Sequence, residues 1–116
     1  MLIEAVVVVA ATASAQEAWL EKYDVPPDEI VLGFDDAFRL AGQLVEEGKL
    51  HHGVLPLLRM IDEVFSEMNQ DTDTGRWTRE ALSTDVGWGR ARQLARGVLT
   101  AEGEETSPLP SISVIR

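Results

Sequence analysis

Apolar residues recur at three- and four-residue spacing along four stretches of the chain, the pattern of helices that each bury one face. The clearest stretch covers 54–68, where Val54, Leu57, Leu58, Ile61, Val64, Phe65 and Met68 share a face and Asp62, Glu63 and Glu67 lie opposite. Pro56 falls in its first turn, where a missing N–H costs little. Upstream, Asp35 reads as an N-cap for a helix whose stripe is Ala37, Leu40, Ala41, Leu44 and Val45, with Gly48 just past its end. Ser14-Ala-Gln-Glu17 reads as a capping box opening a shorter helix to about Tyr23, which buries Ala15, Ala18 and Trp19 and stops before Pro26 and Pro27. Thr84 or Asp85 caps a fourth helix, with Trp88, Ala91, Leu94, Ala95, Val98 and Leu99 inward and Gly103 at its close.

The connecting segments are less decided. Residues 69–75 form a polar linker, 76–82 fit one or two helical turns, and Glu29-Ile-Val-Leu32 fits a strand or a turn of helix. The four consecutive valines Val6 to Val9 favour a buried strand within residues 1–12. The same segment, running into Ala13-Ser-Ala15, also resembles a secretory signal, although it carries Glu4 and no basic residue. A strand at residues 2–10 needs a partner for its backbone, and residues 29–32, residues 111–115 or a second copy of the chain are the candidates. Residues 103–116 read as an extended tail through Ser107-Pro-Leu-Pro110. The expected fold is therefore mostly α: one four-helix-bundle-like domain over 1–116, with short β-strands at the two termini, and a homodimer if a second copy pairs with the first.

Charge alters the functional picture more than the fold. The 116 residues carry a net charge of −10. Such a molecule is repelled by nucleic-acid phosphates and anionic lipid, while a basic protein is drawn to it. No stretch is long enough to cross a bilayer. The chain has no Cys, so disulfides and thiolate metal sites are excluded, in keeping with a cytoplasmic setting. Residues 1–75 have a balance of −11, whereas residues 76–101 have +3 from Arg76, Arg79, Arg90, Arg92 and Arg96 against Glu80 and Asp85. That basic segment is expected to dock on the protein's own acidic helices.

Little in the sequence carries catalytic chemistry. Counted from Asn69, the residues Asp71, Asp73 and Glu80 take three positions of a calcium-binding loop, but Gly75 falls one place late for its required turn. The expectation is an Asx-rich turn and no metal. His51 and His52 are adjacent, so on a helix they point apart and cannot share a cation. Asp35-Asp36 and Glu46-Glu47 alternate with apolar positions as solvated residues do. No zinc-protease motif, nucleophile elbow, phosphate loop or dinucleotide fingerprint occurs. Neither an enzyme nor a cofactor is expected. Trp77 and Trp88 flank the arginine-rich stretch and read as core, or as binding anchors if exposed.

The segments Gly33-Phe-Asp-Asp-Ala-Phe-Arg-Leu-Ala-Gly-Gln-Leu-Val-Glu-Glu-Gly48 and Arg76-Trp-Thr-Arg-Glu-Ala-Leu-Ser-Thr-Asp-Val-Gly-Trp88 resemble those of small acidic bacterial immunity proteins and antitoxins. The resemblance is one of style and order over the middle of the chain and transfers no residue roles. It implies an intracellular inhibitor that covers a basic toxin or effector with carboxylates. Taken with the charge pattern, it points to Asp35, Asp36, Asp62, Glu63 and Glu67 as the partner-binding residues. An oligomerising module built on the strand at 2–10 is the alternative, and a small metal-dependent hydrolase the third reading.

Overall fold

The four-valine run is helical. In the computed structural model, which describes residues 2–71 and 74–103, helix α1 spans Leu2–Ala10. This corrects the strand expected within residues 1–12, and two physical reasons account for it. A helix satisfies its own backbone, and no strand occurs among the described residues to pair with another. Second, Leu2, Val6, Val7, Val8, Val9 and Ala10 are all buried, because α7 and α3 both pack against α1. Burying a valine stabilises by about 1.5–3 kcal/mol, which outweighs a helix-propensity deficit of at most about 0.7 kcal/mol per residue. A helix that is apolar all round belongs inside a protein. The strand invoked for joining a second copy is thus absent from residues 2–10. Residues 29–32 fall within a helix, and residues 111–115 lie outside the described residues.

Helix α2, Ala13–Tyr23, follows after only Ala11 and Thr12. Its cap is Thr12, whose Oγ1 accepts from the Ala15 N–H at 3.2 Å, rather than the expected Ser14. Trp19 and Leu20 are buried, while Ala18 is exposed. Asp24 closes α2 in the left-handed region at φ 51°, and Pro26-Pro27 turns the chain into α3, Asp28–Phe38. Asp35 therefore lies inside a helix and is not an N-cap. The start moved upstream because Pro27 presets the backbone and Asp28 and Glu29 suit the positive end of the helix dipole. The expected continuous stripe breaks at Arg39-Leu40: α4 is only Ala41–Glu46, and Leu40 is 56% exposed. Gly48, at φ 71°, ends this segment as anticipated.

Helices α5, Leu55–Gln70, and α7, Val86–Glu102, match their expected positions and inward faces closely. Asp85 caps α7, and Gly103 closes it at φ 71°. Between them lie a tight 3-10 turn, Thr74–Trp77, and the single-turn α6, Ala81–Thr84. Helix α7 is the central contact element, resting on both α1 and α5. A chain of edge-on aromatic contacts runs through the interior from Phe34 to Phe65 to Trp88 to Trp77, with ring centroids 5.8, 5.5 and 5.9 Å apart. The described residues thus form seven α-helices and not the four expected, although the all-α class stands.

Two of the three arginines of α7, Arg92 and Arg96, do not dock on acidic helices as expected but close the carbonyl end of α1. Arg92 Nε donates to the Ala11 carbonyl at 2.8 Å, Arg96 Nε to the Ala10 carbonyl at 3.0 Å, and Arg92 Nη2 to the Leu82 carbonyl at 2.8 Å. The fully buried Gln16 completes the cluster, donating to the Val8 and Val9 carbonyls and accepting from Arg92. A helix end leaves carbonyls without partners and carries partial negative charge, so cations satisfy it both ways.

Candidate binding face on helices α3 and α5

The five acidic residues singled out in the sequence fall on two neighbouring helices, Asp35 and Asp36 on α3 and Asp62, Glu63 and Glu67 on α5. Where α3 meets α5, a cleft of about 160 Å³ opens to solvent. Val31, Leu32, Phe34 and Phe65 supply its apolar lining, and Asp35, Asp62, Ser66 and Asn69 its polar lining. Asp35 and Asp62 thus face one space from opposite helices, while Asp36, Glu63 and Glu67 are exposed outside it. Leu32, at 58% exposure, is one of few large apolar residues left in solvent.

The electrostatics of this face are those of under-compensated anions. Burial pushes the Asp62 carboxyl above its ordinary value, and the negative charges of Asp35 and Glu63 push it further. Asp36, Asp62 and Glu63 have no ion pair among the described residues. Asp35 is paired with Arg39 at 3.0 Å, but both side chains are well exposed and such a pair along one helix is worth about 0.3–0.5 kcal/mol. Glu67 lies 3.8 Å from Arg76 Nη1. That guanidinium is already committed: it donates to both Asp85 oxygens at 2.9 and 3.2 Å and to Asp71 at 3.0 Å. Among the described residues, the chain's own cations leave three of the five carboxylates without an ion pair.

The other candidates settle into structural roles. In the linker, Arg76 forms ion pairs with Asp71, Asp85 and Glu67. Hydrogen bonding to Asp85 holds the Arg76 guanidinium above its usual value. Asp73 lies outside the described residues, and no three potential metal-ligating side chains gather among those described. Asp85 does double duty, since Oδ1 also accepts the Gly87 N–H at 2.7 Å to cap α7. Gly87 fits closely there: a Cβ would come within 2.7 Å of the buried Met68 Sδ and 2.8 Å of Arg76 Nη2, so those side chains would have to shift.

Before α5, His51 is the extended cap of a 3-10 turn that His52 opens, so their rings stack at 5.4 Å instead of pointing apart as on an α-helix. His51 Nδ1 accepts from the Gly53 N–H, and both residues are exposed, with no nucleophile hydrogen-bonded to either ring among the described residues. Trp88 is fully buried, its Nε1 donating to the Arg76 carbonyl, and Trp77 packs half-buried against it. Both pack with the core.

What sequence reasoning missed is the cleft itself and the place of Leu32 in it. The signal was present in the Ile30-to-Phe34 spacing, which puts both on a helix's inner side and turns Leu32 outward. It was hidden because Glu29-Ile-Val-Leu32 is too short to separate helix from strand. No helix among the described residues is long and apolar enough to cross a membrane. Comparison with family models, curated proteins and solved structures finds no match for this chain.

Proposed function

We propose that this chain is a non-enzymatic acidic binding protein, of the immunity or antitoxin kind, that covers a basic protein with the carboxylates of α3 and α5 in the cytoplasm. The observation that carries the reading is the layout of this face: Asp35, Asp36, Asp62, Glu63 and Glu67 lie on adjacent helices, and among the described residues Asp36, Asp62 and Glu63 have no ion pair while Arg76, Arg92 and Arg96 are engaged chiefly elsewhere. A cationic partner relieves the repulsion that Asp35 and Glu63 exert on Asp62. Long-range attraction from a net charge of −10 speeds its approach. Nucleic acid and anionic membrane are disfavoured as partners by the same field.

The test is recovery of the partner from the source cells with tagged wild-type protein, followed by association kinetics against ionic strength. Reversing two charges with Asp62→Lys and Glu63→Lys should slow association at low salt by about tenfold or more and flatten its salt dependence. A doubly reversed protein that associates with its partner as fast as wild type contradicts the acidic-face mechanism.

A further inference from the structure

We propose that the α3–α5 cleft is the seat for a single arginine side chain of the basic partner, held between Asp35 and Asp62 over an apolar floor. The inference rests on the reading of this face as the partner surface and narrows it to one socket and one side-chain chemistry. Three features of the cleft favour arginine over other cationic groups.

The first is size. A space of about 160 Å³ holds one long side chain and not a helix or a strand. The second is the layout of its lining. The two carboxylates come from different helices, so the occupant must reach both. A guanidinium is planar and fans five N–H donors outward, which lets one group serve two acceptors, whereas an ammonium is a compact, strongly hydrated point charge. Ser66 and Asn69 lie on the same lining and offer further acceptors. The third feature is the floor. Phe34 and Phe65 meet edge-to-face at 5.8 Å, with Leu32 exposed beside them. A weakly hydrated guanidinium tolerates an aromatic floor, and its aliphatic stem covers a residue such as Leu32. The surface pair between Arg39 and Asp35 does not close the socket, because the Arg39 side chain is 71% exposed and its bond is one that water readily replaces.

The arginine preference separates this proposal from the general one. Binding of two acetylated, amidated pentapeptides, Lys-Lys-Arg-Lys-Lys and all-lysine, is measured by titration with wild type, Asp62→Asn, Leu32→Ser and the Asp62→Lys/Glu63→Lys double variant. Folding of each variant is verified by circular dichroism. The peptides carry equal charge, so a merely acidic surface holds them equally. The socket predicts that wild type binds the arginine peptide about fivefold tighter or more. It also predicts that this gap closes in Asp62→Asn and in Leu32→Ser, while both peptides still bind weakly. Equal binding of the two peptides to wild type, with both weakened by the double reversal, overturns the socket and leaves the acidic face standing. An arginine preference that survives in Asp62→Asn and Leu32→Ser overturns the socket as well, by placing the preference elsewhere. Binding indifferent to the double reversal, or none at all, overturns both.

Discussion

Asp62 stands where burial, Asp35 and Glu63 all favour its neutral form. For an acid whose folded value lies above its unfolded one, the ionised form weighs against folding at neutral pH, and that burden lifts as pH falls through the folded value toward the ordinary 3.8. Asp62→Asn should therefore raise stability at neutral pH, on the order of a few tenths of a kcal/mol for so accessible a site. The advantage over wild type should vanish once the pH falls below about 3.8. Urea unfolding of both proteins across that range tests this, and a variant less stable than wild type at neutral pH would show that Asp62 serves the fold. Asp85 is the contrast to Asp62, since its carboxylate caps a helix and grips Arg76. Both residues could be picked out as acidic in the sequence. Only Asp85 had a local signature, because a cap is defined by its immediate neighbours, whereas the surroundings of Asp62 depend on where α3 lands.

At the scale of elements, legibility followed the length of the apolar pattern. Helices α5 and α7 each repeat their inward positions over about three turns or more, and no other structure accommodates that spacing. Helix α3 was misplaced because its inner face shows through only two buried residues, Ile30 and Phe34, and Pro26-Pro27 set a start that the capping reading of Asp35 overrode. Helix α1 was misread for a deeper reason. A run of valines buried on all sides looks the same to its local sequence as strand or as helix, and the decision rests with α3 and α7, far along the chain. That placement gives a firm expectation for a chain lacking residues 2–10. Four buried valines at about 1.5 kcal/mol or more each already rival the roughly 5–15 kcal/mol that holds a domain together. The truncated chain should lose cooperative unfolding and most of its helical circular dichroism. Retention of a full helical signal, with only a change in oligomeric state, would instead restore the view of this segment as an external interaction element.

Across the whole molecule the two signs of charge are put to different uses. The acidic excess of residues 1–75 stays largely on the outside, whereas key arginines of the basic segment turn inward, Arg76 to tie the linker to α7 and Arg92 and Arg96 to seal the end of α1. Charge asymmetry along the chain was visible in the sequence. Its resolution was not, because whether an arginine meets a carboxylate or a helix's carbonyl end is decided by packing. On our proposal, the molecule's attraction for cations is concentrated where α3 meets α5. An amide chemical-shift map of the isotopically labelled protein, titrated with a short lysine- and arginine-rich peptide at low and high salt, examines that claim at every position at once. The account predicts the largest shifts within residues 31–36 and 61–67, fading as salt is added. Shifts spread evenly over all acidic positions, or centred on the linker around Arg76, would contradict it.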